Sequence, residues 1–323
     1  MRGQLDSREN LGVLLHLLPG CARCQEITAP LWWAGEGGRH GQHGTVTDYE
    51  PAVSRVFAHV ARIHAGLETE RLAARRLLTE LAAVPVSGWG SRLSALSAET
   101  RTWGLCELLL EQSRASGDPS EAEALALLAA ECAGELSPGA HPATLIGDLR
   151  ARSWIAVAEA RRATGDLDRA EESLRTAGSH LMRGSGERLD KARLVDALAA
   201  LRSAQGRFRE ADRLLRRAIA VYRRTGQVDL LGRAFVLQGY ARTCSGDLAG
   251  AAVSLRHGLA LADAAREPRI ALAALYTLAC MLHEAGRHRT ALSVLGQIDP
   301  RWGDVAAQGR LGRLEAEITS VLG

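Results

Sequence analysis

Lysine is all but missing from this chain: Lys191 is the only one, and arginine supplies the other 39 positive charges. That bias reads as the mark of a GC-rich genome rather than of a need for guanidinium chemistry. Aromatic residues make up only 4%, so the core has to be filled with small and branched aliphatic side chains. An excess of one charge is lacking too. Forty basic residues face 37 acidic ones, and a net charge of +3 argues against a dedicated nucleic-acid binder.

No apolar run is long enough to span a bilayer, so no membrane partner is expected and the expected compartment is the cytoplasm. Cys21 does follow Leu18, Pro19 and Gly20 in the manner of a lipoprotein cleavage site. Pro19 stands where a small residue belongs, however, and Asp6, Glu9 and His16 break the preceding stretch. The chain also lacks a glycine-rich phosphate loop, a nucleophile elbow, an H-E-x-x-H pair and a carboxylate dyad. His257, His283 and His288 stand alone, so the expectation is a protein that is not an enzyme, with no catalytic residues. Cys106, Cys132, Cys244 and Cys280 are widely spaced in predicted helices and read as small core-filling hydrophobes of a reducing compartment.

What the sequence does have is a period. Gly165, Gly206, Gly246 and Gly286 are 41, 40 and 40 residues apart, and each is followed five residues later by alanine: Ala170, Ala211, Ala251 and Ala291. Self-similarity at such a spacing is the mark of a solenoid. Before each glycine runs an apolar helical stretch, such as Leu194, Leu198 and Leu201. After it, Ala211, Leu214, Leu215, Ala218, Ile219 and Tyr222 fall on one face of a second helix. Glycine suits the turn because it accepts positive φ, and alanine is small where two helices first meet.

These residues resemble the tetratricopeptide repeat. Trp154, Ala158, Gly165, Ala170, Leu174 and Ala177 match its pattern, as do Leu198, Ala199, Gly206, Ala211, Leu215 and Ala218. Gly239, Gly246, Ala251 and Leu255 follow in the third unit; Leu278, Ala279, Gly286, Ala291 and Leu295 follow in the fourth. A fifth copy lies upstream, with helix A over 103–114, a turn at Gly117 and Asp118, helix B over 122–136, and 48 residues from Gly117 to Gly165. The units are longer than the family's period of about 34 residues. The resemblance implies an all-α, right-handed superhelical solenoid of antiparallel helical hairpins.

His16, Cys21 and Cys24 form an H-x4-C-x2-C arrangement at the N-terminus. A C-x2-C pair places two thiolates on one zinc ion, and His40 and His43 are the nearest candidates for a further ligand. The segment resembles the zinc-binding anti-sigma finger, with a His-to-Cys spacer one residue longer. It also resembles short His/Cys segments that precede tetratricopeptide arrays. Zn2+ bound here, or a knuckle that has lost its metal and persists as a helical cap, are both open.

The expected organisation is a His/Cys knuckle segment over 1–28, a linker over 29–48, a helical cap over 49–99, repeats over 100–298 and a capping helix over 299–323. Within the cap, a helix over 49–83 carries Val53, Val56, Phe57, Val60 and Ile63 on one face, then Leu67, Leu72, Leu77, Leu78 and Leu81, and Pro85 and Gly88 end it. The last helix is expected over 311–322.

The tetratricopeptide resemblance implies a concave groove lined by the first helix of each unit. Carried over in register, the groove residues are Arg152, Glu159, Arg162, Arg193, Asp196, Arg233, Tyr240, Tyr276 and His283. Arginine offers a planar fork to carboxylates and tyrosine gives contact area at low entropy cost, so a partner protein or peptide with acidic character is expected. The family's chaperone-binding carboxylate clamp is absent, since Glu159, Ala200, Tyr240 and Cys280 stand where it needs asparagine. The run Arg209, Arg213, Arg216, Arg217, Arg223 and Arg224 is interrupted by Glu210 and Asp212 and reads as a solvated outer face, with no specific nucleic acid as partner. The expected role is an interaction scaffold or adaptor. An anti-sigma-like transcriptional regulator, and a sensor or adaptor for a separately encoded enzyme, are the other readings.

Overall fold

The computed structural model describes residues 50–96, 100–262, 268–303 and 305–322. His16, Cys21, Cys24, His40 and His43 lie outside the described residues, as do the knuckle segment and the linker. Contacts group Met1–His59 into one unit and Val60–Gly323 into another; the description below concerns the second.

Among the described residues there are thirteen α-helices and no strand. They are α1 Glu50–Leu81, α2 Trp89–Ala95, α3 Trp103–Ala115, α4 Pro119–Glu135, α5 Ala143–Thr164, α6 Leu167–Leu181, α7 Arg188–Ala204, α8 Phe208–Thr225, α9 Val228–Cys244, α10 Leu248–Leu261, α11 Pro268–Glu284, α12 His288–Leu295 and α13 Val305–Leu322. Short 3-10 turns occupy Val86–Gly88 and Pro300–Trp302. The odd-numbered helices from α3 to α13 pack on one another as an inner layer, and α4, α6, α8, α10 and α12 pair with them as an outer layer. The fold is an all-α solenoid of helical hairpins.

The four repeated turns share one geometry. Gly165, Gly206, Gly246 and Gly286 have φ of 87, 74, 85 and 72°, a region that costs a Cβ-bearing residue and suits glycine. In each turn the residue after the glycine donates its N–H back five residues, from Asp166 to Arg161, Arg207 to Arg202, Asp247 to Arg242 and Arg287 to Leu282, at 2.8 to 2.9 Å. The glycine N–H itself bonds three residues back, which completes the Schellman motif and satisfies carbonyls that the helix end leaves open. Asp166 and Asp247 then cap the next helix by accepting the N–H of Arg169 and of Gly250. Ala170, Ala211, Ala251 and Ala291 are all fully buried, so the short side chain is required by the close approach of the two helices.

The hairpin α3/α4 lacks a positive-φ glycine. Asp118 caps α4 there by accepting the Ser120 N–H, and Pro119 occupies the first turn. The longer spacing to Gly165 has a visible cause, since α5 has 22 residues whereas α7, α9 and α11 have 17 each.

Apolar stripes explain the layering. In α8, Ala211, Leu215, Ala218, Ile219 and Tyr222 are buried, while Arg209, Arg213, Arg216, Arg217, Arg223 and Arg224 are exposed on the other side. The core is a chain of clusters between neighbouring hairpins, with Trp154 bordering both the first and the next, as expected for a fold in which each unit contacts its neighbours. At the N-terminal end, Leu78 and Leu81 of α1 join Trp89, Leu93, Trp103 and Leu105 in one cluster. The apolar face expected along the whole of α1 is only partly used: Leu67, Leu77, Leu78 and Leu81 pack into the first cluster, whereas Ile63 and Leu72 are exposed. At the other end Leu314 and Ile318 of α13 are buried in the last cluster, and α13 begins at Val305 rather than near 311.

A second repeat, unnoticed in the glycine pattern, ties the layers together. The arginine four residues before each of three turn glycines reaches back to the acidic residue six beyond the preceding turn. Arg161 bonds Glu123 at 2.7 Å, Arg202 bonds Glu171 at 3.0 Å and Arg242 bonds Asp212 at 2.9 Å. Each rung joins an outer helix to the inner helix of the following hairpin. At the last junction the same positions are Ala252 and Leu282, which share an apolar cluster instead.

Candidate functional site

The inner layer encloses a cleft of about 720 Å³ between α5 and α13. It is charged at one end and apolar at the other. Glu159, Arg162 and Arg233 line the first, whereas Tyr240, Ile270, Leu272, Tyr276, Trp302 and Leu311 line the second, with Glu284 and Arg310 on that side as well. Of the expected groove residues, Glu159, Arg162, Arg233, Tyr240 and Tyr276 therefore face this cleft.

The charged end is built on two pairings. Arg152 of α5 makes a bidentate pair with Asp190 of α7, at 2.9 and 2.7 Å, and Arg193 adds a bond to the same carboxylate at 3.1 Å. Asp190 is fully buried and shared between two arginines. One turn of the solenoid further on, Arg233 of α9 bonds Glu159 at 2.8 Å and Asp196 at 3.2 Å. The reach to Glu159 crosses the level of α7, where the residue in the cleft is the small Ala200. Tyr222, buried in α8, donates its hydroxyl to Asp196 at 3.3 Å.

Charged groups are closely set here. Arg114, Arg152, Arg162, Arg193 and Arg233 gather around Glu159, Asp190 and Asp196, and Asp148 and Glu107 also act on Arg152. On the cleft lining itself Arg162, Arg233, Arg269 and Arg310 stand against Glu159 and Glu284. Burial, with Arg233 adding to it, pushes the Arg162 guanidinium below its ordinary pKa despite Glu159 and Asp196; burial also lowers Arg114, with Arg193, Arg233 and Arg152 adding to it against Glu159. Burial works to raise the Glu159 carboxyl, but Arg233, Arg162 and Arg114 outweigh it and hold it below the usual range. Asp196 goes the other way, because burial outweighs the help of Arg233. Arg233 is raised, first by Glu159 and then by Asp196, and its side chain keeps 45% exposure because it opens on the cleft.

Two polar atoms in this cluster have no partner among the described residues: the buried Nε of Arg162 and Oδ1 of Asp196. A buried donor without an acceptor costs about 1–3 kcal/mol. Arg162 thus lines the cleft while its buried Nε carries an unmet hydrogen-bonding group.

Other sequence-singled residues sit elsewhere. Arg152, Arg193 and Asp196 belong to the paired network and do not line the cleft. His283 turns toward the hairpin tip, where its Nδ1 lies 2.9 Å from that of His288. The two are therefore a pair rather than isolated, because the turn at Gly286 folds α12 back on α11. His257 is not isolated either, its ring lying 5.0 Å from that of Phe235. The cysteines divide: Cys106 and Cys132 fill the core, but Cys244 and Cys280 line the cleft from inner-face positions of α9 and α11.

Sequence register found Tyr240 and Tyr276 at the apolar end but missed the rest of it. Ile270 and Leu272 start α11 ahead of its repeat pattern, and Trp302 lies past the last repeat. It also missed Arg269, whose guanidinium donates to the Ser116 carbonyl at 3.3 Å. That bond joins the α3/α4 turn to the start of α11, 153 residues apart, and bounds the cleft on one side together with Gly117. Pro268 immediately before it offered a helix start, but nothing in the sequence pairs it with Ser116.

No helix among the described residues is long and apolar enough to cross a membrane. No protein-family model matches the chain, and no curated protein matches it. A solved structure of BtubC (BKLC) from P. vanneervenii is similar over 80% of this chain and 92% of that one, with 20% identity and a TM-score of 0.44.

Proposed function

We propose that the protein is a non-enzymatic scaffold whose concave face holds an acidic segment of a partner protein. The observation that carries this reading is the surplus of guanidinium groups lining the cleft, Arg162, Arg233, Arg269 and Arg310 against Glu159 and Glu284. An incoming carboxylate would pair with the Arg162 guanidinium on the cleft wall and offset the repulsion that Arg233 exerts on Arg162 and on Arg114, and charge-assisted bonds of this kind are the stronger ones. The tetratricopeptide-like register supports the same face, since the inner helices are those the resemblance assigns to a ligand. In this reading the protein works in the cytoplasm. The His/Cys segment contributes no observation to it, because those residues lie outside the described ones.

The test is a titration of the full chain with labelled peptides of alternating glutamate and glycine, monitored by fluorescence anisotropy. Binding is expected to weaken as salt rises, and Arg162→Gln is expected to lower affinity about tenfold, the loss of one charge-assisted hydrogen bond. A lysine-for-glutamate peptide should not bind. Equal affinity for the two peptides, or an unchanged affinity in Arg162→Gln, would overturn the reading.

A further inference from the structure

The other end of the cleft goes beyond what holding an acidic side chain needs, since it gathers aromatic residues, which make up only 4% of the chain. There are four tyrosines in 323 residues, and two of them, Tyr240 and Tyr276, line this cleft with Trp302 beside them. Trp89, Trp103, Tyr222 and Phe235 are buried in the core, whereas Tyr240, Tyr276 and Trp302 are not. Tyr240 is 42% exposed, and Tyr276 and Trp302 are half-buried, which leaves ring surface open to the cleft. Ile270, Leu272 and Leu311 supply the aliphatic wall around it. The cleft is also bounded, because the Arg269 bond to Ser116 limits it on the side of the first hairpin. A concavity of about 720 Å³, mostly apolar with a few placed polar groups, is of the size that encloses a compact ligand rather than a long chain passing through.

We infer that the cleft reads a two-part motif: an acidic side chain at Arg162 and Arg233, and within a few residues of it a bulky apolar side chain seated between Tyr240, Tyr276 and Trp302. This deepens, and rests on, the acidic-segment reading above. The charged end selects by sign, and the apolar end supplies contact area that a wholly acidic segment leaves unused. The occupant is a short stretch of a partner protein carrying both features, because one cleft wall meets each.

Four labelled peptides of equal length, built on glycine and serine, separate the two readings. One carries a glutamate pair, one a phenylalanine, one both, and one neither. With the full chain, the peptide carrying both is expected to bind at least about tenfold more tightly than the glutamate peptide, in line with burial of one aromatic side chain. Tyr276→Ala is expected to remove that gain while leaving affinity for the glutamate peptide unchanged. Tyr240→Ser, at a more exposed position, should act the same way, and thermal melts of both variants check that they remain folded. Equal affinity for the glutamate peptide and the combined peptide overturns the two-part motif and leaves the acidic reading standing. A phenylalanine peptide that binds as tightly as the combined one overturns the two-part motif and the acidic reading together. Absence of binding by either glutamate-containing peptide overturns both as well.

Discussion

At the residue scale, the rung carboxylates show how much a surface-facing pair contributes and when. Glu171 accepts two bonds from Arg202, at 3.0 and 3.1 Å, and one from Gln205 at 3.0 Å. These bonds, Arg202 first and Gln205 second, hold its pKa at about 2, against 4.5 for the free side chain. A carboxyl depressed by folding stabilises the native state fully above the unfolded value, and that contribution is lost as pH falls from 4.5 toward 2. The side chain is 38% exposed, so solvent screening keeps the contribution below about 1 kcal/mol. Urea unfolding at pH 7 and pH 3 should therefore show the wild type losing more stability between the two than Glu171→Gln. Equal losses would mean that the pairing does not persist in solution.

At the element scale, the three rungs and their apolar counterpart at the last junction amount to a natural comparison. An arginine and a carboxylate, both largely withdrawn from water, are costly to separate but are often replaceable together by apolar residues. Asp212 and Arg242 are each about one-fifth exposed, and Arg242 also reaches Ser254 and the Gly250 carbonyl. Asp212→Ala alone should cost about 2 kcal/mol by removing the nearer carboxylate of Arg242, with Asp247 left at 3.9 Å, and the acceptor of the buried Gln238. Arg242→Leu combined with Asp212→Ala, which copies the Leu282 and Ala252 junction, should return to within about 1 kcal/mol of wild type in thermal or urea unfolding. A double variant less stable than the single would show that the rung is needed beyond its charge. These rungs also mark where sequence reading stopped. The hairpins were legible because the Schellman turn imposes a local rule, a positive-φ glycine and a small residue five places on, which no distant contact can override. A rung joins residues 30 to 38 positions apart in a chain with 39 arginines, so nothing local distinguishes Arg242 from its neighbours. The cleft was legible to the same extent: Glu159, Arg162, Arg233, Tyr240 and Tyr276 follow from register. His283 departs from it because the fold-back of α12 offers His288 as a nearer partner, and Trp302 and Arg269 have no register to follow.

At the scale of the whole molecule, a solenoid derives its stability from contacts between neighbours, so a bond between distant hairpins has a different meaning. The core clusters run in sequence order from α1 to α13, and none of them needs Ser116 near Arg269. The Arg269 guanidinium is exposed, and its single bond to a carbonyl contributes at most about 1 kcal/mol. Its effect falls on the cleft instead, since it holds the α3/α4 turn against the start of α11 and narrows one way in. Arg269→Ala is therefore expected to leave the unfolding midpoint almost unchanged while raising both the association and dissociation rates of a bound acidic peptide, by a similar factor of several-fold. Stopped-flow anisotropy reads the two rates directly. A similar factor in both follows because opening a mouth lowers the barrier to entry and exit without altering the contacts made inside. A drop in affinity with an unchanged association rate would instead mean that Arg269 itself touches the ligand, and would move it from the rim of the cleft into the charged wall with Arg162.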